Sequence, residues 1–232
     1  VPRSINDIAT IYAGTFIVSW LYMDTKEDMI QEQLKGRGIS DERVLNAMKT
    51  IDRELFVPDE YKEEAYRDGP LPIGRGQTIS QPYIVAYMAQ VLNPDPDDKI
   101  LEVGSGCGYN AAVLSQLAAE VYSVEIVEWL AKFARENLNS AGIKNVKVRH
   151  GDGYEGWEEK GPFDHIILTA TAPHIPDSLK KQLKVGGKIL GPFTNSSEKL
   201  MVLEKTGEDE FKKHDLIHVR FVPMTGKAQE SK

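Results

Sequence analysis

From Asp98 onward the chain alternates short apolar runs with amphipathic ones, and no other feature limits the fold as much. Strands are expected at 99–103, 121–125, 146–150, 163–169, 188–190, 200–204 and 214–222, and helices at 110–119, 128–141 and 177–183. Strands separated by helices pair in parallel through right-handed crossovers. The chain therefore reads as an α/β protein with a doubly wound, mostly parallel seven-stranded sheet. Only a polar turn separates the last two extended runs, so they are expected to form an antiparallel hairpin on that sheet.

The stretch Ile100-Leu101-Glu102-Val103-Gly104-Ser105-Gly106-Cys107-Gly108-Tyr109-Asn110 joins the first of these strands to the first of these helices. Glycine lets a backbone take unusual dihedrals and approach a ligand closely, because no Cβ intervenes. A dinucleotide fingerprint would need its third glycine at Tyr109, whereas the spacing here is Gly-x-Gly-x-Gly behind an acid, Glu102. That variant is typical of S-adenosylmethionine sites, where no pyrophosphate has to be cradled. A purely structural strand-to-helix turn would carry the same residues, so the loop does not decide alone. The acids downstream add to it. Glu102, Glu125 and Asp152 fall at three successive strand ends, where a doubly wound sheet binds its ligands. Glu125 lies about 20 residues past the loop, where a carboxylate accepts hydrogen bonds from both ribose hydroxyls. Asp152 is placed to meet an adenine amino group. Negative charge there also suits a cationic sulfonium and repels a pyrophosphate.

Composition removes other classes. A net charge of −7 argues against a general nucleic-acid binder, which needs an excess of Lys and Arg. The single cysteine, Cys107, rules out an internal disulfide, suits a reducing cytoplasm and reads as a small filler in the loop. Residues 11–23 are apolar but shorter than the roughly 20 residues of a membrane span. With only Arg3 upstream, they make a poorly formed secretory signal. The opening Val-Pro-Arg-Ser has the look of a tag remnant. Residues 1–24 are thus set apart as an appended segment, packed on the body or on a partner. Residues 25–232 read as one domain, with helices and a substrate loop in 25–97 and the sheet in 98–232. A monomer is expected.

Ahead of the sheet, 25–35 has helical spacing and stops at Gly36-Arg37-Gly38, after which Ser40 is expected to cap a second helix. Residues 69–82, crowded with glycine and proline, read as an ordered irregular loop, and 83–92 as a helix. His150, His165 and His174 fit no ligand spacing, so no metal is expected. Trp129 and Trp157 read as packing residues.

Two stretches taken together carry a resemblance: Pro-Ile-Gly-x-Gly-Gln-Thr-Ile-Ser-Gln-Pro (72–82) and Leu-Glu-Val-Gly-Ser-Gly-x-Gly-Tyr (101–109). Ser-Val-Glu (123–125), His-Gly-Asp-Gly (150–153), Pro-Phe-Asp-x-Ile-Ile-x-Thr-Ala (162–170), Gln-Leu-Lys-x-Gly-Gly (182–187) and Arg-Phe-Val-Pro-Met (220–224) extend it. Over about residues 26–225 the chain resembles the protein-L-isoaspartate O-methyltransferase family. It departs from the family pattern at Cys107 and in the N-terminal extension.

The resemblance implies a class I S-adenosylmethionine-dependent methyltransferase with a Rossmann-like sheet, releasing S-adenosyl-L-homocysteine. Its substrates would be isoaspartyl-containing proteins and peptides. Methylation of the freed α-carboxylate makes a leaving group for return to the succinimide. Cofactor contacts would come from Glu102, Gly104, Ser105, Gly106, Gly108, Glu125, Ile126, Gly151, Asp152, Gly153 and Thr169. Acceptor contacts would come from Gln77, Thr78, Ile79 and Ser80, with Val222, Pro223 and Met224 as an edge for an extended peptide. Ser80 is the residue the family pattern nominates as catalytic. Ser80, or Thr78 with Gln81, also stands where it would cap the helix starting near Pro82, and the two roles are compatible. A carboxylate acceptor is ionised well below pH 7, so no general base is needed. Catalysis would rest on holding an oxygen in line with the methyl–sulfur bond and on desolvation. Three rivals remain: a methyltransferase acting on a small molecule or RNA, a binding protein without turnover, and a nicotinamide oxidoreductase, the last disfavoured by Tyr109.

Overall fold

The structure is a computed structural model that describes residues 25–194 and 197–229; the segment expected at 1–24 lies outside the described residues. Helix α1 (Lys26–Asp28), closed by a Thr25–Asp28 capping box, runs into a π-helical stretch, Met29–Leu34, that buries Met29, Ile30 and Leu34. The segment stops at Gly38, in the left-handed region as expected. Helix α2 (Glu42–Thr50) is capped by Asp41, which accepts from the Arg43 N–H at 2.8 Å, and not by Ser40. Ser40 instead donates its main-chain N–H to Gln90 Oε1 at 2.8 Å.

Residues 69–82 are more regular than expected. Strands β1 (Leu71–Gly74) and β2 (Gln77–Ile79) pair as an antiparallel hairpin. Its tip, Gly74-Arg75-Gly76, has φ of +88°, +55° and +72°; Gly74 and Gly76 take such angles freely, and Arg75 between them is held in the left-handed region. Helix α3 (Pro82–Leu92) follows directly, with proline in its first turn.

The sheet comprises β3 (Lys99–Val103), β4 (Glu120–Glu125), β5 (Val146–His150), β6 (Phe163–Leu168), β7 (Leu183–Thr194), β8 (Glu198–Lys205) and β9 (Phe211–His218). Their order is β5-β4-β3-β6-β7-β8-β9. The first five in that order are parallel, β8 runs antiparallel to β7 and β9 antiparallel to β8, in agreement with the doubly wound reading. Helices α4 (Tyr109–Leu114), α5 (Glu128–Ser140) and α6 (Asp177–Lys181) make the crossovers. Helix α4 is shorter than 110–119, because Ser115 turns its hydroxyl back on the Ala112 carbonyl at 2.6 Å. Gly186-Gly187, expected as a turn, lies inside β7, where any Cβ on Gly187 would overlap the Asp164 carbonyl of β6.

Side-chain alternation assigns the two faces of β3. Leu101 and Val103 pack with Phe163, Ile166 and Leu168 on one, while Ile100 packs with Met88, Leu92, Leu114 and Ile167 on the other. Each fully buried aliphatic side chain contributes roughly 1.5–3 kcal/mol. The chain runs from β3 outward to β4 and β5, then crosses back to β6 on the far side of β3. That reversal opens a crevice at the carboxyl ends of β3 and β6.

Candidate functional site

The crevice encloses about 830 Å³ of empty space, counting its open mouth. Its floor is the glycine loop. Gly104, at φ +102°, lies so close to Thr169 that a Cβ would overlap the Thr169 hydroxyl, which donates to the Gly104 carbonyl at 2.5 Å. Gly106, at φ +52°, faces Ile73 of the β1–β2 hairpin, leaving a trough of bare backbone.

Glu125 ends β4 at one side of that trough. Its two carboxylate oxygens accept from the Gly106 N–H at 2.8 Å and the Val127 N–H at 2.9 Å. Each oxygen keeps a further lone pair for a ligand hydroxyl. Burial raises the Glu125 carboxyl above its ordinary range, opposed by those main-chain N–H groups. Glycine backbone, a carboxylate with spare acceptor capacity and no basic group on the lining fit a nucleoside carrying a cationic sulfonium.

Across the cavity stand Gln77, Thr78, Ile79 and Ser80 from the hairpin, and Val222, Pro223, Met224 and Thr225 from the C-terminal segment. The C-terminal segment is tied to the sheet end by Thr171 N–H to the Val222 carbonyl and Met224 N–H to the Thr171 carbonyl, both 2.8 Å. Ser80 does not cap α3: the N-cap position is Gln81, without a side-chain cap bond. Among the described residues the Ser80 hydroxyl has no hydrogen-bond partner. Its main-chain carbonyl accepts from Arg53 Nη2 at 2.9 Å.

Of the cofactor residues expected from sequence, Gly104, Ser105, Gly106, Glu125, Ile126, Gly153 and Thr169 line this cavity. Four do not. Glu102 shares the helix-facing side of β3 with Ile100 and is 0% exposed, its oxygens engaged by Asn110 at 2.8 Å and by Ser123. Ser123 also contacts the Ser105 hydroxyl at 2.5 Å, so Glu102 supports the loop from beneath. Desolvation raises its carboxyl to about 7 against those hydrogen bonds. Gly108, at φ +90°, packs against Ala134 and Leu138 of α5. Gly151 donates its N–H to the Glu125 carbonyl at 3.0 Å. Asp152 accepts from the Tyr154 N–H on one carboxylate oxygen and from the Lys227 N–H on the other, both at 2.9 Å.

Sequence reasoning missed Asn110 and Val127, which line the cavity two residues past Gly108 and Glu125 respectively. Val85 of α3 and Thr225, which directly follows Met224, also went unread. Cys107 lines the cavity but is buried, and burial pushes its thiol up to about 12, in keeping with a filler. Trp157 packs edge-on to Tyr122, with ring centroids 5.4 Å apart, and Trp129 stacks on Phe133. His150, His165 and His174 sit apart, on the Ile126 carbonyl, Asp98 and Tyr154 respectively. Among the described residues no cluster of His, Cys, Asp or Glu is placed to hold a metal ion.

The protein-L-isoaspartate(D-aspartate) O-methyltransferase (PCMT) family matches residues 24–229, which takes in both walls of the cavity. The chain belongs to that family. Protein-L-isoaspartate O-methyltransferase 2 of Pelobacter propionicus is 51% identical over 203 residues, covering 87% of this chain and 90% of that one. The protein-L-isoaspartate O-methyltransferase of Methanothermobacter thermautotrophicus is 43% identical over 210 residues, covering 88% and 97%. A solved protein-L-isoaspartate O-methyltransferase superposes with a TM-score of 0.82 at 30% identity, covering 88% of this chain and 67% of that one. A Plasmodium falciparum structure in complex with S-adenosyl-L-homocysteine gives 0.75 at 29% identity, covering 84% and 96%. The fold, activity and cofactor expected from the sequence are those of the family.

Proposed function

We infer that this chain transfers a methyl group from S-adenosyl-L-methionine to the free α-carboxylate of L-isoaspartyl residues in damaged proteins and peptides. One observation carries the reading beyond family membership: the unpartnered Ser80 hydroxyl and the Glu125 carboxylate line the same cavity, although 45 positions apart in the chain. When bound, the cofactor supplies an electrophilic methyl on a sulfonium. Glu125 accepts the ribose hydroxyls, and the bare backbone of Gly104 and Gly106 admits the ligand. Ser80 donates its hydroxyl to the acceptor carboxylate, and Thr78 and Ile79 hold the residue that bears it. Val222, Pro223 and Met224, held against Thr171 by the Val222 carbonyl and the Met224 N–H, form the edge along which an extended peptide lies. Because the acceptor is already ionised, these residues orient it and exclude water, and none has to remove a proton.

Residues 25–97 supply the acceptor loop, and 98–232 the cofactor cradle. The enzyme works as a monomer in the cytoplasm; the lone, buried Cys107 supports a reducing compartment. No helix among the described residues is long and apolar enough to cross a membrane. The test is methyl incorporation into an isoaspartyl peptide and its aspartyl twin. Incorporation into the first alone is expected; equal labelling, or none, refutes the reading.

A further inference from the structure

Arg53 opens a 3₁₀ turn, Arg53–Phe56, and is 0% exposed. A buried guanidinium is tolerated only where its donors are met and its charge is answered. Its donors reach three main-chain carbonyls: those of Ala65, of Gly69 at 3.3 Å and of Ser80 at 2.9 Å. Its Nε is buried with no partner. Among the described residues no carboxylate pairs with it, and the ionisable neighbours that act on it are Tyr109, Cys107 and Tyr66. Tyr109 and Cys107 both line the cavity, so the guanidinium stands just behind its wall.

Two of those carbonyls mark the two ends of the β1–β2 hairpin, Gly69 before it and Ser80 after it. The planar fork therefore ties the legs together from inside. A second tie lies outside, where Gln81 donates to Asp68 at 2.7 Å and Arg37 pairs with Asp68 at 3.1 Å. That outer set is exposed to solvent and correspondingly weak. The inner one is dry.

We infer that Arg53 is a positioning residue of the acceptor site: its fork fixes the hairpin leg that carries Ser80, and its unanswered charge is the counter-charge for the acceptor carboxylate. The inference rests on the function proposed above. It gives the cavity a direction, with Glu125 at the end that takes the ribose and Arg53 behind the end that takes the acceptor carboxylate.

The test compares wild type, R53K and R53Q by kcat and KM for an isoaspartyl peptide, and by calorimetric affinity for S-adenosyl-L-homocysteine. Thermal melting checks folding. Lysine keeps the charge and loses the fork, so R53K should lower kcat roughly tenfold with KM within about twofold of wild type. R53Q loses both and should add a KM increase of roughly tenfold. Cofactor affinity should stay within about twofold in both, because Glu125 and the glycine loop are held by other elements. Equal KM changes in the two variants, a parallel loss of cofactor affinity, or a wild-type kcat in R53K would each overturn the inference. If R53Q does not fold, R53K decides: lowered kcat at unchanged KM and cofactor affinity supports it, and any other pattern rejects it. Wild type that esterifies no isoaspartyl peptide rejects the functional reading itself, and the inference with it, whatever the variants do.

Discussion

Replacing Glu102 by Gln isolates the one fully buried carboxyl beneath the glycine loop. In the folded chain this group holds its proton to about pH 7, against an ordinary 4.5 once unfolded. Below the unfolded value it is neutral in both states, and its favourable contribution is fully present. Between the two values the folded chain keeps a proton that the unfolded chain has lost, so stability falls as pH rises. Above the folded value the loss is complete, and a gap of roughly 2.5 pH units amounts to about 3 kcal/mol. Glutamine has nothing to titrate and keeps the geometry. Its amide oxygen accepts from Asn110, while its NH2 donates to Ser123, whose hydroxyl then rotates toward Ser105. The stability of E102Q relative to wild type should therefore rise from pH 5 to pH 8 by about 3 kcal/mol. For a chain of this length that is roughly 6–12 °C in Tm. Urea unfolding of both proteins across that range, without added ligand, measures the difference directly and cancels every other titrating group. A difference that stays flat with pH would refute the reasoning.

Three other perturbations separate the roles assigned around the cavity. Glu125→Ala should weaken S-adenosyl-L-homocysteine binding by about 2–4 kcal/mol in calorimetry, since charge-assisted bonds to two hydroxyls are lost. Because those hydroxyls need the ionised carboxylate and burial raises its pKa, wild-type affinity should fall as pH drops through that raised value, whereas that of E125A should not. Ser80→Ala should cut kcat/KM for an isoaspartyl peptide by roughly 10–100-fold with cofactor affinity nearly intact; full activity would remove Ser80 from the chemistry. Asp152→Ala should cost about 1–2 kcal/mol of stability through the lost Tyr154 and Lys227 contacts. An affinity loss matching that of E125A, with Tm unchanged, would instead return Asp152 to the adenine site.

The centre of the sheet was legible because β3 and β6 are runs rich in Val, Ile and Leu bounded by turn residues, and such runs need no distant information. Glu102 shows where that reading stops. It was grouped with Glu125 and Asp152 as a strand-end acid, yet its position alternates with Leu101 and Val103, which puts it on the face of Ile100 and under the loop. The hairpin at 71–79 escaped notice because glycines and proline hide a two-residue period in strands this short. The site itself is long-range. Ser80 and Glu125 meet only because the β1–β2 hairpin folds over Gly106, and no local pattern reports Ile73 against that glycine. Asp152 makes the same point: one of its oxygens accepts from the Lys227 N–H, 75 positions downstream, a contact that no local pattern reports.

Among the described residues the sheet ends at β5 on one side and β9 on the other. Both carry charge along their length, Lys147 and Arg149 on the first, Lys212, Lys213 and Asp215 on the second. Charged side chains on an outermost strand discourage another chain from zipping onto it. In a family that acts on isoaspartyl-containing proteins, such charged margins work against a substrate strand pairing with the sheet at the wrong place.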